Sequence, residues 1–267
     1  MKTSKYLVGL IRKLVLSLLK ITSCDITIKH HFTGYPFLLN SYHHKGYWFY
    51  GKNRERNTML RFPEIIKPGM TVLEIGGHIG YLTTYYSYLA GKSGNVVVFE
   101  PGKNNLKYMY GNVKNSNAGN VIIEELAAGN QNSNMTFYLD PITGQNNTLV
   151  KNFEGFEKNR EYSAEPDSEY TTDSVTVVRL DDYLKNKLAP DFIKIDIEGY
   201  EWECVDGLRV TIENKRPHLM IEIQANSEMI ISFFKSLNYR IYNDMMSEII
   251  TLNDFENIGT PNIFFFP

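Results

Sequence analysis

Cysteine is nearly missing from this 267-residue chain: Cys24 and Cys204 stand far apart, with neither CxxC nor Cys/His spacing around them. That excludes a disulfide framework, argues against a structural zinc site, and makes a reducing, cytoplasmic setting the simplest assumption. Charge imbalance is missing too, since 28 bases against 30 acids leave a net charge of −2. Without a global positive field, no nucleic-acid partner is expected. The chain also lacks an uninterrupted apolar run of the roughly 20 residues that a bilayer span needs. The nearest stretch lies in residues 1–20, where Arg12 and Lys13 break the run and no small-residue cleavage site follows, so a signal peptide is not expected either. There Lys5, Gly9, Arg12, Lys13, Ser17 and Lys20 fall on one helical face, and Leu7, Leu10, Ile11, Leu14, Val15, Leu18 and Leu19 cover the rest. Two readings stay open: a helix docked on the domain or a partner subunit, or a basic amphipathic helix peripheral to a membrane through residues 1–20.

What is present points to an α/β protein. Residues 72–80 read VLEIGGHIG, and the acid-ended run VVVFEP follows at 96–101, one helix later. A strand that turns through Gly76, Gly77 and Gly80 brings backbone N–H groups and a helix N-terminus against a ligand with little side-chain obstruction. Glu100 then closes a β-branched buried strand, where doubly wound folds place the acid that grips ribose hydroxyls. A glycine turn that only packs a helix against a strand is the plainer alternative. Length and 43% hydrophobic content fit one such domain over residues 57–267, preceded by an N-terminal extension over 1–56.

The remaining elements follow from pattern and punctuation. Helices are expected over 57–66, 103–113, 200–208 and 227–237, and strands from 70 or 71, over 121–126, 134–139, 192–197, 218–223, 239–243 and 262–266. Residues 175–180 lead into a capped helical turn at Asp181 and Asp182. Residues 140–174 are polar and aperiodic, and read as an exposed lid, substrate loop or mobile excursion. His30, His31, His43 and His44 form adjacent pairs that lack metal-ligand spacing, and are expected to be surface or loop histidines.

The run DFIKIDIEGYE at 191–201 holds a second constellation. Lys194, Asp196 and Glu198 share one side if the strand stays extended, at the carboxyl end where open sheets bind ligands. A structural salt bridge among Lys194, Asp196 and a loop base is the alternative. This run, with RLDDYL upstream and RPHLMIEI downstream, resembles the FkbM family of S-adenosylmethionine-dependent O-methyltransferases over roughly residues 70–223. The resemblance implies a doubly wound, mostly parallel seven-stranded sheet of the class I methyltransferase type. It implies S-adenosylmethionine as cofactor, with Glu74, Gly76, Gly77 and Gly80 at its methionine end, Glu100 on the ribose, and Leu126 and Ala127 beside the adenine. Asn112 and Thr148 match family positions as well. One departure is plain: the family usually reads Gly-Ala-Asn where this chain has Gly76-Gly77-His78, so His78 either donates to the cofactor as Asn does or reshapes the pocket.

For chemistry, the resemblance implies methyl transfer to a hydroxyl of a small molecule, a sugar or glycan. Asp196 is the first choice and Glu198 the second for taking or weakening the hydroxyl proton, directly or through a divalent ion held by them, with Glu222 orienting the acceptor or a base. Tyr42, Tyr47, Trp48 and Tyr50 are candidates for stacking on a sugar ring. Two rivals remain: a binding or scaffold protein that keeps the fold without turnover, and a nicotinamide-dependent oxidoreductase. The latter is disfavoured by a turn without GxGxxG order and by the lack of a suitably placed Tyr-x-x-x-Lys pair.

Overall fold

The computed structural model of the chain describes residues 2–257 and 262–267. Helix α1 (Lys2–Ile21) is followed by strands β1 (Asp25–Lys29) and β2 (Pro36–Asn40), α2 (Lys45–Tyr50), a single 3-10 turn (Gly51–Asn53) and α3 (Arg56–Ile65). Strand and helix then alternate through β3 (Thr71–Ile75), α4 (Tyr81–Ala90), β4 (Asn95–Phe99), α5 (Lys103–Asn115) and β5 (Val121–Glu124). An excursion of β6 (Ala127–Gly129), β7 (Ser133–Leu139), α6 (Glu154–Tyr162) and β8 (Thr171–Arg179) intervenes. The chain returns through α7 (Leu180–Leu184), β9 (Phe192–Ile195), α8 (Glu201–Gly207), α9 (Arg209–Lys215) and β10 (His218–Glu222), then closes with α10 (Ser227–Ser236), β11 (Arg240–Asn243), α11 (Leu252–Glu256) and β12 (Asn262–Phe266).

Seven strands bond in the order β5-β4-β3-β9-β10-β12-β11. Those from β5 to β10 run parallel, and β12 enters antiparallel between β10 and β11. The expected doubly wound, mostly parallel sheet is therefore present. Its strands read as continuous apolar runs because both faces are covered. Val72, Val96, Phe192 and Met220 pack to one side with Phe62 and Tyr86, while Leu73, Ile193, Ile195 and Ile221 pack to the other with Cys204, Ile212 and Phe234. Each such burial contributes roughly 1.5–3 kcal/mol. From β3 the chain winds to β4 and β5 on one side and later to β9 and β10 on the other. The carboxyl ends of β3 and β9 thus flank the switch point, where this architecture opens a crevice.

The extension shares this core, since Phe37, Leu39 and Tyr47 join the cluster around Val72 and Val96. Asn112 of α5 stitches it in place: its amide accepts from Leu38 N–H at 2.6 Å and donates to the carbonyls of Leu38 at 2.9 Å and Ile79 at 2.8 Å. In the described part of α1, Leu16 is buried and Lys20 Nζ lies 3.1 Å from Glu165. No described helix is long and apolar enough to cross a membrane.

Three expectations need correction. The strand expected over 121–126 ends at Glu124, because the chain must leave the sheet there to run over its carboxyl edge, where β6 joins β8 and β7 in a separate three-stranded sheet. Much of 140–174 is packed rather than exposed. Asp140, fully buried, accepts from the N–H groups of Ile142 and Asn146, the Thr143 hydroxyl and the Asn146 amide; further on, Phe156 stacks on Tyr170 at 3.9 Å. An Asp whose neighbours supply that many local donors builds a tight polar turn, which replaces apolar periodicity as the ordering device. Finally, His30 and His44 are core residues. His30 Nε2 donates to Tyr81 O at 3.0 Å, and His44 Nδ1 accepts from Asn40 N–H at 2.8 Å. Burial drives their pKa values down, to about 4 and about 2, so both are neutral.

Candidate active site

A cleft of about 180 Å³ lies along the carboxyl ends of β3, β4, β9 and β10. A smaller lobe of about 60 Å³, lined by Glu74, Gly77, Lys194 and Leu82, shares Arg54, Tyr47, His78 and Asp196 with it.

Its floor is the turn after β3. Gly76 has φ +83°, and a Cβ there would stand 1.9 Å from the Asp196 carbonyl oxygen. At Gly77 a Cβ would collide with Val98 and Met109, and Gly80, φ +84°, begins α4. These glycines are dictated by how closely the turn approaches β9 and α5. Glu74 is wholly buried; one carboxyl oxygen accepts from the Thr83 hydroxyl at 2.6 Å, and Oε1 has no partner. Burial lifts its pKa to about 7, against the pull of Lys194.

Glu100 closes the other end. Its Oε1 accepts from Gly102 N–H at 2.8 Å and from Asn105 Nδ2 at 3.3 Å, and its Oε2 accepts from His78 N–H at 2.7 Å. Burial raises its pKa to about 7 despite these bonds. Leu126 and Ala127 line the wall beside it, together with Pro101, Asn147 and Leu149.

His78 holds a left-handed backbone, φ 48°. Burial depresses its pKa to about 3, so the ring is neutral. Nε2 faces the Thr143 carbonyl at 3.1 Å and must carry the proton; Nδ1 then accepts from the Tyr47 hydroxyl at 3.0 Å. Both ring nitrogens are spent on protein partners, and the ring serves as a wall tying the extension to the excursion.

At the third side stand the charges. The strand stops at Ile195, so Lys194 and Asp196 share a side while Glu198 is brought round by a left-handed turn, φ 55°. Lys194 Nζ donates to Gly76 O at 2.6 Å and lies 3.0 Å from Asp196 Oδ2. Burial works against the Lys194 charge, but Asp196 and Glu74 outweigh it and its pKa is raised. Thr148 clamps the turn from the excursion by donating to Glu198 O at 2.7 Å. Glu198 and Glu222 both line the cleft, and burial followed by repulsion from Asp196 pushes both pKa values well up. Asp196 is paired to Lys194, and Glu55 to Arg54 at 3.1 Å, while Glu222 Oε1 accepts from Gln224 Nε2 at 2.9 Å. Among the described residues, no group of three His, Cys, Asp or Glu is arranged to hold a metal ion.

The structure thus brings Glu74, Gly76, Gly77, His78, Glu100, Leu126, Ala127, Asp196 and Glu198 to one cleft and its lobe, with Gly80 at the head of the adjoining helix. Of the four candidate stacking aromatics only Tyr47 reaches it; Tyr42 is fully buried, Trp48 bonds Ser41 O, and Tyr50 faces outward. Sequence reasoning missed Arg54, Glu55, Asn105, Asn147 and Tyr200, which also line the cleft. Arg54 stacks over Tyr47, 4.6 Å from the ring centroid. Nothing in the local pattern NRER separates it from a solvated charge run; only the fold carries it over the glycine turn.

Comparison with solved structures returns matches of low identity. An FkbM methyltransferase from Methylobacillus flagellatus KT is 16% identical with a TM-score of 0.47, over 78% of this chain and 53% of that one, so this chain spans about half of that protein. An rRNA methylase from Streptococcus thermophilus is 10% identical with a TM-score of 0.41, over 79% and 91%. Fibrillarin from Aeropyrum pernix, in complex with S-adenosyl-L-methionine, is 9% identical with a TM-score of 0.41, over 79% and 73%. No curated protein matches the chain in sequence. The model of the methyltransferase FkbM domain matches residues 74–241, well over half of the chain and spanning β3 through β11. The chain belongs to the FkbM methyltransferase family.

Proposed function

We propose that this chain is an S-adenosylmethionine-dependent O-methyltransferase whose acceptor is a sugar or glycan hydroxyl. One observation carries the cofactor assignment: the cleft offers a fully buried, half-unsatisfied carboxylate at Glu74 and a guanidinium at Arg54 at one end, with an acid, Glu100, at the other. An amino acid zwitterion joined to a nucleoside fits that order of charges. The Glu74 Oε1 would take the ammonium, Arg54 the carboxylate, Glu100 the ribose hydroxyls, and Leu126 and Ala127 the adenine face. Glycine at 76 and 77 lets the floor between them close against Asp196 O, Val98 and Met109. When bound, the cofactor supplies a methyl group on a sulfonium, ready for in-line displacement.

The chain's own residues supply positioning and proton transfer. Lys194, pinned between Gly76 O and Asp196, fixes the carboxylate that supports O-direction. Oδ2 of Asp196 faces the ammonium, and Oδ1 is left for the acceptor hydroxyl, whose proton it takes as attack proceeds. Glu198 and Glu222 offer carboxyl oxygens to the neighbouring hydroxyls of the acceptor, and Tyr47 adds an aromatic wall beneath Arg54. A polyhydroxylated acceptor suits that mixture of carboxyl oxygens and aromatic surface.

Calorimetric titration with S-adenosylmethionine, S-adenosylhomocysteine and NAD tests the cofactor. Binding of the two sulfur nucleosides, abolished in Glu100→Ala, is expected; binding of NAD alone would overturn the assignment. Transfer of a labelled methyl group across a panel of hydroxyl compounds then tests the acceptor class. In that assay Asp196→Asn is expected to lower kcat by about 10² or more while cofactor binding persists. Full turnover in that variant would remove Asp196 as the base.

A further inference from the structure

The turn at 140–148, which leaves β7 and passes over the cleft, is fastened to the start of α5. Asn147 Nδ2 donates to Asn104 Oδ1 at 2.8 Å, and Asn104 Nδ2 donates in return to Asn147 Oδ1 at 3.4 Å and to Asp140 O at 3.1 Å. Asn105 Nδ2 spans the gap between Gly144 O at 3.0 Å and Glu100 Oε1 at 3.3 Å. The fit is close enough to demand glycine. A Cβ at Gly144, φ +70°, would stand 2.2 Å from Asn105 Oδ1, and one at Gly102 would stand 2.3 Å from Asn147 Nδ2 and 2.6 Å from Glu100 Oε1. The turn is thus held in a fixed place beside the acid. Most of its polar side chains are engaged by the protein: Asp140, Thr143, Asn146 and Asn147 bond one another or α5, and Thr148 bonds Glu198 O. Gln145 is the exception. It lines the cleft half-buried, its N–H donates to Thr143 Oγ1 at 3.2 Å, and its side-chain amide has no partner among the described residues.

Glu100 needs such a neighbour. A carboxylate offers about four acceptor sites, and the N–H groups of His78 and Gly102 and the amide of Asn105 fill three of them. One site remains, on Oε2, whereas a vicinal diol brings two hydroxyl protons. A hydroxyl enclosed in a cleft without an acceptor weakens binding, because water would have satisfied it. We propose that Gln145 is the second acceptor for the ribose of the cofactor: one of the 2′- and 3′-hydroxyls donates to Glu100 Oε2 and the other to Gln145 Oε1. The residue before it, Gly144, is joined to Glu100 through the single amide nitrogen of Asn105, which sets Gln145 at the same end of the cleft as the acid. Gln145 is then a specificity-determining residue, by which the excursion distinguishes a nucleoside that carries both hydroxyls from one that lacks either. The identity of the ligand rests on the proposed function.

The test is calorimetric titration of the wild-type chain and of Gln145→Leu with S-adenosylhomocysteine and its 2′-deoxy and 3′-deoxy analogues. The wild type is expected to bind both analogues more weakly than the parent. Gln145→Leu is expected to weaken S-adenosylhomocysteine about fivefold, yet to bind one of the two deoxy analogues as well as the wild type does, since that analogue lacks the hydroxyl the amide would hold. Gln145→Glu, which keeps an acceptor oxygen in place, is expected to preserve the preference for the parent over that analogue. Thermal melting of each variant checks the fold, and an unchanged midpoint is expected because the amide has no protein partner to lose. Undiminished binding of S-adenosylhomocysteine by Gln145→Leu would overturn the proposal. So would an equal loss for all three ligands, which would assign the amide to another part of the nucleoside. Both results would leave the cofactor assignment standing; failure of the wild type to bind S-adenosylhomocysteine would overturn that assignment and the role of Gln145 with it.

Discussion

The turn after β3 and the turn after β9 face each other across the same crevice, and both pass through left-handed backbone, at Gly76 and Gly80 in one and at Glu198 and Gly199 in the other. They are built on different principles. The first is set by contact: its glycines stand where any side chain would enter a neighbour, and the N–H groups of Gly76 and Gly77 both bond Phe99 O. The second is set by charge: Lys194, Asp196 and Glu198 follow in three alternate positions, and Asp196 and Glu222 both act on the pKa values of Lys194 and Glu198. The contact-built turn tolerates no change of volume, and the charge-built turn answers to the charges of its neighbours. In the proposed function the cofactor lies along the first turn and the acceptor along the second.

Substitutions can break this contrast. The largest effect is expected from Gly76→Ala, which meets the Asp196 carbonyl in a backbone region closed to L side chains; a loss of roughly 3 kcal/mol or more should appear as a lowered urea midpoint. Arg54→Ala should leave the fold intact and weaken S-adenosylhomocysteine by about 30-fold, while 5′-methylthioadenosine, which lacks the amino acid carboxylate, binds as before. Equal loss for both ligands would assign Arg54 a purely structural part. A smaller effect concerns protons. Glu74, lifted to about 7, is part protonated at neutral pH, and a bound ammonium lowers its pKa, so binding should release about half a proton at pH 7 and tighten between pH 6 and 8. Calorimetry in buffers of different ionisation enthalpy reads that release, and Glu74→Gln should remove it. The smallest change is expected from Tyr47→Phe, which deletes one bond to His78 and should cost about 1 kcal/mol by denaturant titration with an unchanged slope.

Legibility in the sequence followed the same division. The strand-glycine-acid order revealed the contact-built side because close approach leaves glycine as its only solution, and Gly76, Gly77 and Glu100 all stand in the cleft. Alternation in KIDIEGYE identified the charges but not their states, because the strand stops at Ile195 and the pairing of Lys194 with Asp196 depends on Gly76, 118 residues away. Arg54 and Asn147 were invisible for a related reason: they belong to segments without periodicity that gain meaning only when laid over the sheet. His44 was misplaced because a polar residue between His43 and Lys45 reads as surface until its partner, the Asn40 N–H, is known.

The bridge through His78 has a consequence for the order in which the protein matures. Tyr47 lies 31 residues before it and Thr143 lies 65 after, so one imidazole completes a wall from three separate stretches of chain. During synthesis the glycine turn emerges early and remains uncovered until Thr143 has left the ribosome, and Asp196 and Glu222 follow later still. Such non-local closure is slow compared with helix formation. The wall at His78 therefore closes only after Thr143 has emerged, the strand at Ala127 is paired only by β8, and the floor at Gly76 meets Asp196 O later still, so the cleft is among the last parts of the molecule to be completed.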